Sequence, residues 1–216
     1  VGPLSHSVTD HTQGNWNGVG GRLLLSAGPP VWLKDIQVVP RVAAKSAFVK
    51  GSIGNSTGKT GSGKVRLAAR LIEAAGMSPL PGSAGPRAET LEVVLPVSWD
   101  ARGGSFEADF ALGDSARLWD EFHPNLYRLT ATLDPPGDSK DVTFGLREIS
   151  TRGTQFLING RKTFFRGTLE CCIFPLTGHP PTDKASWKRV MEIARGHGLN
   201  QLRFHSWCPP EAAFEA

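Results

Sequence analysis

The residues in this sequence whose types suit chemistry cluster towards its C-terminal end. Glu170 closes the predicted strand KTFFRGTLE and is followed at once by Cys171 and Cys172. A carboxylate at a strand end suits acid/base work, and it equally suits a polar residue at a rim. Arg166 lies on the same stretch, and Arg203, His205 and Trp207 lie in LNQLRFHSW. These offer hydrogen-bond donors and one large aromatic face, although Arg166 and Arg203 equally fit a structural role bridging strands. Glu211 and Glu215 are further carboxylates, on a short predicted helix. Three cysteines, Cys171, Cys172 and Cys208, are an odd count with no CxxC spacing, and adjacent cysteines rarely pair. They read as buried thiols. No G-x-S-x-G elbow is present, and nothing assigns a base to any serine or cysteine.

Two other patterns imitate sites. Gly54-Asn55-Ser56-Thr57-Gly58-Lys59-Thr60 resembles a phosphate-binding loop but has too short a gap between its glycines. The overlapping stretch from Gly58 to Lys64 has the right gap but continues into Val65, where a Ser or Thr would be needed to meet magnesium. A strand follows, so no helix N-terminus is available to hold phosphate, and a hairpin loop is expected. His6 and His11 flank Asp10 without a third ligand nearby, which reads as a surface loop. No metal site is expected.

Composition bounds the class. In 216 residues, hydrophobic content is 39% and charged content 20%, which fits a folded chain rather than a disordered one. With 25 glycines and 16 prolines, turns and short strands are expected to outnumber long helices. The net charge of +4 is small and its basic residues are scattered, so no nucleic-acid footprint is expected. No run of about eighteen apolar residues occurs, so no membrane span is expected. No signal peptide is recognisable. The sequence assigns no compartment.

The elements that must position these residues fall into three stretches. Residues 1–30 read as a terminal piece of something larger: turn residues, an apolar strand over residues 21–25, then a Gly28-Pro29-Pro30 linker. Residues 31–147 hold seven short strands separated by turn signals: VWLKDIQVVP, SAFVKGSI, KVRLAARLI, TLEVVLPVSW, SFEADFAL, LYRLTATL and DVTFGLRE. Val65, Leu67, Ala69 and Leu71 alternate with Arg66, Ala68 and Arg70, the period of a half-buried strand. Seven such strands predict an immunoglobulin-like β-sandwich. After Arg147 the pattern changes. FLING runs into an Asn159-Gly160 turn, and KTFFRGTLE follows. A helix starts at a Thr182 or Asp183 cap, with Trp187, Val190, Met191 and Ala194 on one stripe and Gly196 and Gly198 at its end. LNQLRFHSW is the next strand, and Pro209-Pro210 opens a second helix, EAAFEA. This order predicts the first βαβ portion of an incomplete (β/α)8 TIM barrel, which takes about 250 residues when whole. The fold expected is thus mainly β: a sandwich followed by the opening of a barrel.

Four stretches together resemble glycoside hydrolase family 2, the family of β-galactosidases, β-glucuronidases and β-mannosidases. Gly14-Asn15-Trp16-Asn17-Gly18-Val19-Gly20-Gly21 resembles the exit from its N-terminal jelly-roll domain. Leu118-Trp119 with His123-Pro124-Asn125-Leu126-Tyr127 resembles the closing stretch of its sandwich. Gly145-Leu146-Arg147, Phe156-Leu157-Ile158-Asn159-Gly160-Arg161 and Phe165-Arg166-Gly167 resemble its lead into the barrel, and Gly198-Leu199-Asn200-Gln201-Leu202-Arg203 its second barrel strand. Two stretches depart from the galactosidase branch. Thr168-Leu169-Glu170-Cys171-Cys172 replaces an acidic, histidine-bearing stretch, and His205 follows Arg203 by two residues rather than three. The sugar is therefore left open.

The resemblance implies a jelly-roll remnant at 1–30, a sandwich at 31–147 and the N-terminal part of a catalytic barrel at 148–216. It implies a retaining β-glycosidase with no obligatory organic cofactor. Such an enzyme needs two carboxyl groups about 5–5.5 Å apart. The resemblance places both, as glutamates, on later barrel strands, so no catalytic residue is expected here beyond the weak candidate Glu170. The 216 residues are expected to behave as a truncated fragment with little or no activity. Arg203 and His205 would hydrogen-bond sugar hydroxyls, Trp207 would stack on a sugar ring, and Arg166 would join them or bridge strands. A periplasmic or extracellular location would fit the intact enzyme. The rival reading is a non-catalytic sandwich module that binds carbohydrate or organises an oligomer. An incomplete barrel also leaves Phe156, Phe164, Phe165, Leu202 and Phe204 in need of partners, which predicts homo-oligomers through residues 150–216, or collapse of that segment onto the sandwich.

Overall fold

The computed structural model describes residues 23–72, 90–205 and 207–216. The Gly14–Gly21 motif, the His6, Asp10 and His11 group and Ser206 lie outside them. The chain divides into two compact units, one of Ala27–Thr163 and one that includes Phe164–Ala216.

Seven strands of the first unit form two antiparallel sheets. β1 (Val31–Arg41), β2 (Ser46–Asn55) and β5 (Gly104–Ala111) make one, in the order β1-β2-β5. β3 (Gly61–Ile72), β4 (Leu91–Trp99), β6 (Leu126–Asp134) and β7 (Asp138–Phe144) make the other, in the order β4-β3-β6-β7. This is a β-sandwich, as the strand count predicted. Its fourth strand joins the third instead of the first sheet, unlike the constant-type immunoglobulin arrangement. Alternation does what the sequence pattern requires. Val49, Phe110, Val65, Leu67, Leu129 and Leu133 are fully buried between the sheets, while Arg66, Glu107 and Asp109 remain outside. Pro96, which lacks an N–H, is on β4, an edge strand. Gly51 faces Phe106 across the β2–β5 pair, and the ring covers the space a Cβ would need.

The sheets are tied at one side by a bulge. The β1–β2 register shifts between Leu33 and Asp35. The Leu33 N–H donates to the Asp138 carboxylate on β7 at 2.7 Å, and the Lys140 ammonium donates to the Lys34 carbonyl at 2.9 Å. At the start of β6, Tyr127, the only tyrosine of the chain, stacks on Phe144 at 5.6 Å, and its hydroxyl accepts the Arg117 N–H at 2.7 Å. That is the tyrosine corner of such sandwiches.

Three of the sequence motifs meet at the sandwich's exit. The Trp119 N–H donates to the Leu146 carbonyl at 3.0 Å, and the Arg147 guanidinium lies 4.5 Å from the centre of the Trp119 ring. Asn159 Nδ2 donates to the Trp119 carbonyl at 2.8 Å, and Asn159 Oδ1 accepts the Glu148 N–H at 2.9 Å. Asn159 (φ 51) and Gly160 (φ 75) form the predicted turn between β9 (Gln155–Ile158) and β10 (Arg161–Thr163). β8 (Ile149–Arg152), which the sequence pattern missed, pairs with β9 and completes a small sheet in the order β10-β9-β8.

Several expected boundaries are corrected. DVTFGLRE is a strand only to Phe144, because Gly145–Glu148 leaves the ladder to pack on Trp119. Of the strand expected at residues 21–25, the described residues 23–25 are irregular and exposed, with no ladder partner among the described residues. KTFFRGTLE is two strands. β10 pairs antiparallel with β9, and β11 (Gly167–Glu170) pairs parallel with β12 (Gln201–Phe204), the core of LNQLRFHSW.

In the second unit, α1 (Lys184–Gly196) connects the parallel strands β11 and β12. Asp183 caps the helix, its Oδ1 accepting the Ser186 N–H at 2.8 Å. His197 and Gly198 (φ 77) end it, with the Gly198 N–H on the Arg195 carbonyl and the Leu199 N–H on the Ala194 carbonyl, a Schellman motif. Trp187 is fully buried beneath Phe174, Phe204 and Trp207, at ring separations of 5.7, 5.8 and 6.2 Å. Cys172, Trp207 and Ala213 of the short α2 (Glu211–Glu215) complete this core.

Candidate functional site

The candidate residues separate along the two parallel strands. Arg166 precedes β11, at its N-terminal end. Its Nε donates to the Gly198 carbonyl at 2.7 Å and its N–H to Asn200 Oδ1 at 2.7 Å. Asn200 answers with its Nδ2 on the Phe164 carbonyl at 3.1 Å and its N–H on the Arg166 carbonyl at 2.9 Å. Arg166 is thus engaged in holding strand starts, and Asn200, which sequence reasoning placed in a motif but assigned no role, is its partner. The signal was present in the Gly198-Leu199-Asn200 spacing: a helix-ending glycine followed two residues later by a side-chain amide.

Glu170, His205 and Trp207 lie at the other end, four strand residues away, or roughly 13 Å. Arg203 pairs with Leu169 and is exposed, as is His205; Leu202 and Phe204 alternate with them and are half-buried. The Glu170 carbonyl accepts the His205 N–H at 2.9 Å and the Trp207 indole N–H at 3.3 Å. Glu170 Oε1 accepts the Cys172 N–H at 3.1 Å, and Oε2 is buried with no hydrogen-bond partner. Burial pushes the Glu170 carboxyl above its ordinary value, opposed by the Cys172 N–H and the Trp207 indole.

Trp207, expected to offer its face to a ring, is buried instead, at 6% exposure, against Trp187 and edge-to-face with Phe204. The cysteines are corrected too. None of the three forms a disulfide, and only Cys172 is buried; Cys171 is half-buried, and Cys208 is exposed in the loop before Pro209. Among the described residues no cluster of His, Cys, Asp and Glu could hold a metal ion, and no helix is long and apolar enough to cross a membrane. The loop at 54–60 spends its polar groups on itself. Asn55 Oδ1 accepts the Thr57 N–H and hydroxyl at 2.9 and 2.7 Å, and Nδ2 donates to the Lys59 and Asp100 carbonyls at 2.8 and 2.7 Å.

The sandwich carries the identity. Residues 31–147, more than half of the chain, match the model of Glycosyl hydrolases family 2. The chain belongs to glycosyl hydrolase family 2. Its fold is shared with solved family-2 structures. With the β-galacturonidase of Eisenbergiella tayi bound to galacturonate, the TM-score is 0.68 at 21% identity, over 86% of this chain and 30% of that one. A family-2 member from Bacteroides cellulosilyticus DSM 14838 gives 0.67 at 19% identity, over 86% and 25%. The β-glucuronidase of Ruminococcus gnavus in complex with D-glucuronic acid gives 0.58 at 21% identity, over 87% and 28%. The shared fold therefore reaches beyond the sandwich, while the chain spans about a third or less of each family-2 structure. No curated protein matches it.

Proposed function

We propose that this chain serves a retaining β-glycosidase. It would supply the end of a jelly-roll domain (1–30), the sandwich (31–147) and the opening of a TIM barrel (148–216). The family-2 match over the sandwich carries this reading. The parallel β11–α1–β12 unit supports the barrel, because it is the repeat from which such barrels are built. The active face of a barrel is at the C-terminal ends of its strands, where Glu170 and His205 lie.

In the double displacement, one glutamate attacks the anomeric carbon while another protonates the leaving oxygen. Water then cleaves the glycosyl-enzyme, the second glutamate taking its proton. Both glutamates are expected on strands beyond β12, so the 216 residues alone should turn over little or no substrate. No organic cofactor is needed. Arg203 and His205 are assigned to the sugar. Two of the similar structures hold galacturonate and D-glucuronic acid, and a guanidinium such as that of Arg203 suits a uronate carboxylate. Trp207 and Arg166 are assigned to packing and to holding strand starts.

The test is a panel of chromogenic β-galactosides, β-glucuronides, β-galacturonides and β-mannosides, with calorimetric binding of the free sugars. No turnover is expected, with weak, roughly millimolar uronate binding that Arg203→Ala abolishes. Turnover clearly above that of a Glu170→Gln/His205→Ala variant would overturn the inactivity. Sugar binding indifferent to Arg203→Ala and His205→Ala would overturn the site.

A further inference from the structure

One residue at the rim gathers more contacts than its position explains. The Glu170 carbonyl receives the N–H of His205 and the indole N–H of Trp207. The Glu170 carboxyl receives the N–H of Cys172. Cys172 is in the left-handed region at φ 60, which costs a residue with a Cβ roughly 1–2 kcal/mol and persists only where surrounding bonds impose it. The carboxyl itself is poorly placed to act on a ligand. Oε1 is occupied by a backbone donor, and Oε2 is shut away from solvent without a partner.

We propose that Glu170 is the positioning residue of this rim: its carboxyl fixes the Cys172 turn, which in turn steadies the Glu170 carbonyl that holds His205 and buried Trp207, and it transfers no proton itself. The inference rests on the reading that His205 faces the sugar. A proton-transferring group must bring an oxygen within hydrogen-bond reach of the reacting atom, but Oε2 is closed off and Oε1 is already held by the Cys172 N–H. A lone buried carboxylate oxygen carries a large desolvation cost that a neutral acid largely avoids, and burial favours that neutral form. Titratable and charged groups near it are Cys171 and Cys172 on its own turn, Arg203 on β12, His205 just beyond that strand, Cys208 beyond Trp207, and Glu211 and Glu215 on α2. Arg203 on β12 and His205 just beyond it are both exposed. Through His205, Glu170 would set the angle at which an imidazole meets a sugar hydroxyl, a specificity effect without contact.

The experiment compares the 216-residue chain with its Glu170→Gln and Glu170→Ala variants. It follows amide exchange at Cys172 and His205 and the Trp207 indole resonance by NMR. Gln keeps a neutral acceptor for the Cys172 N–H, whereas Ala removes it. Glu170→Gln should leave exchange within about twofold and the indole resonance in place, while Glu170→Ala, which removes the side-chain acceptor of the Cys172 N–H, should speed exchange at Cys172 by about tenfold or more and carry a smaller increase to His205. Should the Ala variant fail to fold, Glu170→Asp, one methylene shorter, should show the same local loss. The proposal is overturned if Ala, or Asp in its place, changes nothing. It is equally overturned if Gln is as damaging as Ala, or if Gln keeps the protection but abolishes a measurable glycoside turnover, which would mark a proton carrier. The exchange pattern as expected, with no sugar bound by the wild type, would uphold the clamp and sink the glycosidase reading instead.

Discussion

At the residue scale, two polar contacts give measurable consequences. The Tyr127 hydroxyl is the acceptor for the Arg117 N–H. Tyr127→Phe removes it while keeping the ring on Phe144, and should cost about 1–2 kcal/mol in denaturant unfolding. Glu170 gives a pH dependence. Its carboxyl is raised above the ordinary value of 4.5 by burial, so the folded state holds its proton more tightly than the unfolded chain. The resulting stability is fully present below pH 4.5 and is lost as the pH rises through the folded-state value. Melting temperatures of wild type and Glu170→Gln should therefore diverge as the pH rises through that window, with the wild type losing ground. Parallel curves would refute a raised carboxyl. Asp183 has the opposite sign. The Ser186 N–H holds its carboxyl below 3.8, so its contribution is present above that value and is lost as the pH falls through the folded-state value. The asparagine turn and the helix cap were legible in sequence because each depends on neighbours along the chain. The burial of Trp207 was not, because a tryptophan beside a polar strand end suits either a core or a ligand, and Trp187 and Phe204 decide between them through space.

Among the elements, the seven sandwich strands were readable because one face of each is buried and the period of two survives. β8 escaped because Ile149, Thr151 and Arg152 are exposed and its one half-buried residue is Ser150, leaving no apolar alternation to detect. KTFFRGTLE was read as one strand because its composition is uniform, while its two halves pair with different sheets in different directions. Gly51 shows how tightly neighbouring strands constrain each other: the Phe106 ring occupies the place of a Cβ. Gly51→Ala must displace that ring from the core, and should destabilise the sandwich by roughly 1–3 kcal/mol in urea titration. An unchanged midpoint would mean that the ring is free to move.

For the whole molecule, the second unit leaves apolar groups uncovered. Phe164, Leu169, Leu176 and Phe214 are all exposed, Leu176 fully. Groups of this kind are the expected contacts of a homo-oligomer. Sedimentation should show a weight-average mass that rises with concentration, and less so in a Phe164→Ser/Phe214→Ser variant; a monomer at every concentration would refute self-association.

The bonds of Asn159 bear on where this protein can be cut. The family match ends at Arg147, an inviting place to excise the sandwich as an independent domain. Yet the Trp119 carbonyl is answered from beyond that point, by Asn159, and the Glu148 N–H depends on the same side chain. A polypeptide of residues 27–147 would lose the bond to Trp119 and the strands that hold Asn159. One of residues 27–163 would keep both, and should resist proteolysis longer. The compact unit that holds the sandwich ends at Thr163, one small sheet beyond the end of the family match.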